Sequence, residues 1–432
     1  MTWLLRHQIR HYIANSLWIF PVLCMAAALV VVRVLHSIER ELGWTSDLPT
    51  STVQAVMGTM ASSMFTFIVF VSSVLLVAVQ LASSQLTPRI IALVFRDPIT
   101  KMSLMVFVFT FTFTLAVLVR VTTSVPLLTV HLAAYSSLAS LGVFLFLIDH
   151  VGKALRPSGA LRAVAGLGRH VIGNVYPNLR AHGPNNATES PAYFEREAAC
   201  KTVANQKDGV VLAIDIPGLV VLAQQHDTVI ELLPQVGDFV ASGDPLFHVY
   251  SCKVPIIEPD LLKCVAVGQE RTFEQDPTFA FRILVDIACK GLSPAINDPT
   301  TAVLALDQIH HLLRDVGRRQ LDDERVRDKG GRIRLVYRTP DWEDFVQLAV
   351  TEIRHFGGSS IQVARRMRGM LEDLIRTLPE ERIPLLRKEL DSLHRSAERF
   401  FSDPEDRALA EMSDSQGVGG QAREHAGTPH LF

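Results

Sequence analysis

The sequence predicts an α-helical membrane region of four transmembrane helices followed by a soluble α+β domain that contains a small β-barrel-like subdomain. Three observations predict it. Four long apolar runs fall within the first 150 of 432 residues. Charged residues are sparse up to Asp149 and frequent after it. Beyond residue 208, strand-like and helix-like patterns alternate between Pro and Gly turns. The mean hydropathy of +0.24 is high for a chain of this length.

The apolar runs lie near Ser16–Leu35, Val56–Leu81, Met102–Val119 and Val125–Ile148. Each meets the requirement of about 20 helical residues to cross about 30 Å of hydrocarbon. Arg6 and Arg10 before the first run imitate a signal peptide, but Ala26, Ala27 and Ala28 sit inside the run and Leu29 to Val32 continue it. An uncleaved anchor is therefore expected. Short-loop Lys and Arg set orientation. Arg6 and Arg10 precede span one, Arg89, Arg96 and Lys101 join spans two and three, and Lys153, Arg156, Arg162 and Arg169 follow span four. The first connection carries Glu39, Glu41 and Asp47 with Arg40. Both termini are thus expected on the cytoplasmic side of an inner membrane. After span two, Thr87-Pro88 opens a short apolar helix with basic ends, or span two bends at Pro88 and continues.

Thr59, Thr66, Ser73 and Gln80 recur every seven residues on span two, with Ser62 and Ser63 beside them, and Thr110 and Thr114 form an i,i+4 pair on span three. Thr59, Ser63, Thr66, Ser73 and Gln80 form a face that either packs against another helix or lines a conduit. Arg120, His131 and Asp149 lie near span ends, where snorkelling or helix packing accounts for them.

The expected division is a membrane region over 1–151, a linker over 152–207, a barrel-like subdomain over 208–255, a mainly helical cytoplasmic domain over 256–400 and a disordered tail over 401–432. Gly209–Ile214, Leu219–Leu222 and Thr228–Leu233 read as strands, and VGDFV..GDPLF, from Val236, resembles the hairpin of barrel-sandwich modules. No Lys between Gly209 and Tyr250 could serve as a lipoyl-type carrier. Pro277–Lys290 reads as a helix capped by Asp276, and Asp298-Pro299 opens a second helix reaching about Gly317. Arg282, Asp286, Lys290, Asn297 and Asp298 surround that corner. They form either a solvated charge ladder or an anion-binding pocket at a helix start.

Cys24, Cys200, Cys252, Cys264 and Cys289 are scattered and odd in number, which argues against a disulfide framework or zinc site. With 42 Lys+Arg against 44 Asp+Glu, no excess of one sign points to nucleic acid. No GxSxG, HExxH, Walker or dinucleotide motif is present, and the adjacent His310 and His311 point in different directions on a helix, so neither catalysis, a metal nor a cofactor is expected.

QLASSQLTPR at Gln80–Arg89, LVDIACKGLSPAINDPTTA at Leu284–Ala302 and SSIQVARRM at Ser359–Met367 resemble the bacterial predicted-membrane-protein family known as domain of unknown function 2254. The resemblance spans nearly the whole chain and implies four membrane helices with a cytoplasmic α+β domain. It implies no reaction, substrate or functional residue. Two functions stay open: an oligomeric channel or transport-related protein with a regulatory cytoplasmic domain, or a membrane-anchored sensor or scaffold without a conduit. The bilayer and further copies of the chain are the expected partners.

Compartment reporters fused at Trp44 and at Lys153 should read opposite sides of the membrane. Equal readings would contradict the four-span topology.

Overall fold

The computed structural model describes residues 2–46, 48–91, 97–122, 125–154, 156–180, 199–251, 256–321 and 324–418. The chain divides into two compact units, Ile9–Ala160 and Met1–Gln8 with Leu161–Phe432. The division falls inside the first helix, α1 (Trp3–Asn15).

In the first unit, α2 (Ile19–Leu42), α3 (Thr50–Gln85), α4 (Pro98–Leu118) and α5 (Leu127–Ala154) are long and apolar enough to cross a membrane. Half of the apolar window of α4 is buried, against 17 to 22% for the other three. Helix α4 is therefore the central packing element, against α2, α3 and α5. Phe107 and Phe113 on α4 are fully buried, and Phe67 stacks on Phe144 with ring centroids 4.5 Å apart.

Polar side chains tie the ends of this bundle. The Glu39 carboxylate, 2% exposed, accepts from the Thr129 backbone N–H (2.9 Å) and hydroxyl (3.0 Å), joining the end of α2 to the start of α5. Gln54 donates to the Val121 carbonyl at 2.7 Å. The two-residue strands β1 (Thr45–Ser46) and β2 (Val125–Pro126) pair beside them. At the other end Lys101 donates to the Ala14 carbonyl. Asp97 caps α4 through Thr100 N–H (2.9 Å) and also meets His150 Nε2 at 3.0 Å. Thr87 caps a 3₁₀ turn at Pro88–Ile90, whereas residues 92–96 of the expected interfacial helix lie outside the described residues.

In the second unit, β3 (Lys201–Ala204), β4 (Gly209–Ile214), α7 (Ile216–Gln225), β5 (Val229–Leu232), β6 (Phe239–Val240), β7 (Pro245–Tyr250) and β8 (Val265–Gly268) are followed by β9 (Glu324–Arg327) and β10 (Ile333–Tyr337). They form a five-stranded sheet, β3-β7-β5-β10-β9, and a three-stranded sheet, β6-β4-β8. Only the β5–β10 pairing is parallel, with Ile230 opposite Leu335. Ile230, Leu232, Phe247, Val249 and Leu335 share one core with Val211 and Ile214 of the smaller sheet and Leu219 and Ala223 of α7.

This corrects the barrel-like reading. The strands form two open sheets rather than a closed barrel, and β6 and β7, expected to pair as a hairpin, go to different sheets. The larger sheet also recruits β9 and β10 from far outside residues 208–255. Leu219–Leu222 lies in a helix rather than a strand. Pro217 and Gly218, read as a turn, occupy its first positions, and Asp215 caps it by accepting from Gly218 N–H at 3.2 Å.

Helix α6 (Pro157–Val175) occupies part of the stretch read as a linker. Its Gly168 permits close packing, since a Cβ there would lie 2.6 Å from that of Ala280. Tyr176, just after it, is buried against Phe345 and donates to the Pro340 carbonyl at 2.8 Å. Beyond the short α8 (Glu258–Leu262) come α9 (Pro277–Gly291), α10 (Pro299–Gly317), α11 (Trp342–Phe356), α12 (Ile361–Thr377) and α13 (Ile383–Phe400). Helix α9 packs on α10 and α11, and α12 packs on α10 and α13. The expected caps at Asp276 and Asp298 are present, accepting from Thr278 and Phe279 N–H and from Thr301 N–H, and Ser360 caps α12 by accepting from Val363 N–H.

The stretch read as a disordered tail begins as structure. Helix α14 (Pro404–Ala410) is capped by Asp403, and Asp414, fully buried, donates its N–H to the Arg365 carbonyl at 3.1 Å. Residues 419–432 lie outside the described residues. Cys200 is disulfide-bonded, against the expectation from cysteine spacing, whereas Cys24, Cys264 and Cys289 are free and Cys252 lies outside the described residues.

Candidate functional site

Thr59, Ser63, Thr66, Ser73 and Gln80 are all exposed on α3. A 36-residue helix is about 54 Å long, well beyond the hydrocarbon thickness, so the face continues past the apolar layer. The hydroxyls donate to their own helix four residues back: Thr59 to Ala55 O, Ser63 to Thr59 O, Thr66 to Ser62 O and Ser73 to Val69 O, at 2.9 to 3.0 Å. With those protons committed, the four hydroxyls offer oxygen lone pairs outward, and the Gln80 amide adds both a donor and an acceptor.

A groove of about 570 Å³ opens between α3 and α5. Thr59 and Ser63 line it with Met60, Phe67, Ser137 and Leu141, while Thr66, Ser73 and Gln80 lie outside its lining. The i,i+4 residue Thr110 instead bonds Ser140 at 3.0 Å in the buried contact between α4 and α5, which is packing. Arg120 donates to Ala116 O, and His131 Nδ1 lies 2.7 Å from Leu127 O, so both residues interact within their own segments.

In the second unit the residues around the Asp298 corner separate into two groups. Arg282 gives Nε to Asp286 (2.7 Å) and both terminal nitrogens to Glu352 (2.6 and 2.7 Å). The Glu352 hydrogen bond, with Asp286 in support, pushes the Arg282 pKa up against the opposing effect of burial. This fork binds α9 to α11. Nothing in the sequence marked Glu352, because a long-range ion-pair partner leaves no local spacing. At the corner itself Asn297 takes φ +48°, and Asp298 donates its N–H to Gly291 O at 2.7 Å. Asp298 also holds Thr301 through N–H (3.0 Å) and hydroxyl (2.5 Å). The start of α10 is thus already capped by a carboxylate of its own chain. The Lys290 carbonyl accepts from the Ser293 hydroxyl at 2.7 Å, closing α9.

A third polar cluster was not legible in sequence beyond the presence of His310. Between α10 and α12, His310 Nε2 lies 2.9 Å from Asp373, which also takes Arg314 and Arg376, and Arg366 donates to Asp307 at 2.6 Å. Arg366 Nη2 stands 3.2 Å from His310 Nδ1. Burial first, and then the Arg366 charge, push the His310 pKa down to about 4. Burial works to raise Asp373, but hydrogen bonds from Arg376, His310 and Arg314 hold it below the usual carboxylate range. Among the described residues no group of three His, Cys, Asp or Glu is placed to hold a metal. Burial pushes the Cys264 and Cys289 thiols up to about 12, which keeps both protonated and weakly nucleophilic.

Residues 14–373 match a family described as Predicted membrane protein (DUF2254). Uncharacterized proteins of Mycobacterium bovis and Mycobacterium tuberculosis are each 23% identical over 423 residues, covering 94% of this chain and 80% of theirs. No solved structure matches the chain.

Because His310 is neutral in the folded state down to about pH 4 and takes a proton near pH 6.5 when unfolded, stability should fall as pH drops from about 6.5 toward 4. Chemical denaturation of the full chain in detergent should show this fall, and His310→Gln should flatten it. An unchanged slope in the variant would remove His310 as its source.

Proposed function

Given that the chain belongs to the predicted membrane protein family DUF2254, we propose that it acts as a multi-pass, homo-oligomeric protein of the bacterial inner membrane. The α3 faces of several copies line a shared path for ions or small polar solutes. The soluble half, on the cytoplasmic side with both termini, assembles or regulates that path. It works without catalysis, a cofactor or nucleic acid.

The observation that carries this reading is the outward acceptor face of α3. A lone protomer leaves Thr59, Thr66, Ser73 and Gln80 exposed along one helix. Hydrocarbon gives such groups no hydrogen-bonding partner, whereas neighbouring copies or a water-filled path do. Four helices enclose no wide pore by themselves, so the path requires more than one chain. Lone pairs turned outward favour cations or donor-rich solutes over anions. The charged clusters of the soluble half pair their charges with one another and serve its rigidity, as the Arg282 fork illustrates.

A second reading, a membrane-anchored sensor or scaffold, is favoured by the scarcity of ionisable side chains within the spans, since coupled transporters place such groups at depth. Ion flux through liposomes carrying the full chain separates the two. Wild type should conduct, and Ser73→Leu should suppress flux at unchanged oligomer size by narrowing and drying the path. Absence of flux from assembled wild type at every ion and voltage tried would favour the scaffold.

A further inference from the structure

Helix α1 carries an exposed apolar stripe. Leu5, Ile9 and Ile13 recur at i, i+4 and i+8 with Tyr12 among them, and they are 45, 40, 36 and 58% exposed in that order. At about 100° per residue these four share an arc of roughly 100°. Arg6 and Arg10, themselves i,i+4, are exposed along one edge of the arc. The far side of the helix faces protein: His7 is buried, its Nδ1 stands 3.1 Å from Glu274, and Trp3 stacks on its ring at 5.1 Å. The helix is therefore oriented, with its stripe outward.

We propose that α1 lies in the membrane surface and binds anionic phospholipid, with Leu5, Ile9, Tyr12 and Ile13 in the acyl boundary and Arg6 and Arg10 on headgroup phosphates. The occupant follows from two features. The chain passes from the end of α1 at Asn15 to the first residue of a membrane-length apolar helix, Ile19, within four residues, so the end of the helix that carries Tyr12 and Ile13 is tethered to the bilayer edge. The exposed rings of Tyr12 and Trp18 are of the type that settles at headgroup depth, and two guanidiniums beside an apolar arc complement phosphate, not a neutral surface. This inference rests on the four apolar spans and is independent of whether α3 lines a path.

Amide exchange of residues 3–15 tests it, with the full chain in nanodiscs of phosphatidylcholine alone or with phosphatidylglycerol added. Exchange should be about tenfold slower in the anionic discs, and the gap should close at high salt as the phosphate attraction is screened. Arg6→Gln with Arg10→Gln should abolish the gap. Ile9→Ser with Ile13→Ser should speed exchange in both lipids. Equal exchange in the two lipids for wild type would overturn the proposal, and the salt series reads this without any variant. Protection that follows the number of copies per disc instead of lipid charge would also overturn it and assign the stripe to a second chain.

Discussion

The membrane half depends on a carboxylate held at one end of the bundle. Glu39 is almost fully buried, and both its oxygens are occupied by Thr129. A carboxylate buried in protein has no water to replace these partners, so the end of α2 and the start of α5 cannot part without breaking both bonds. Backbone N–H at a helix start is well suited to such a charge. The Gln54 bond to Val121 O and the β1–β2 pair close the same end, and Lys101 on Ala14 with Asp97 on His150 close the other. Once the ends are fixed, the apolar middle is free to pack by shape, with α4 at the centre and α3 left with one face outward.

In the second unit the corresponding constraint is satisfaction of charge between helices. The Arg282 fork onto Asp286 and Glu352 joins α9 to α11, and the His310, Arg314, Arg366, Asp307 and Asp373 cluster joins α10 to α12. Aromatic packing of Phe345 against Tyr176 and Phe281 fills the space between. A neutral histidine among arginines is stable there because Asp373 and Asp307 balance the guanidiniums. Exchange of Asp307 for an apolar residue would strand the buried Arg366 charge, which is how this pair braces α10 against α12.

Much of this architecture was legible because its signals are local. Four apolar runs locate the spans, and Asp276-Pro277, Asp298-Pro299 and Ser360 locate helix starts through capping chemistry confined to three or four residues. The errors fall where long-range structure decides. Pro217-Gly218 suits a turn or a helix start, and the capping Asp215 selects the helix. Glycines at 166 and 168 look like linker punctuation until Ala280 is brought against Gly168. The barrel-like reading failed because β9 and β10 join the sheet from beyond residue 320. At the candidate sites the heptad spacing on α3 was readable, whereas Glu352, Asp373 and Arg366 could not be assigned to their partners from spacing alone.

The central claim is that α3 turns its accepting face toward other copies of the same chain. Native mass spectrometry of the full chain released from lipid nanodiscs tests this most directly. A mass that is a multiple of 47.9 kDa, persisting at dilute protein, is the expected result. A single 47.9 kDa copy at every lipid composition and concentration would contradict it, since the exposed face would then meet no other copy.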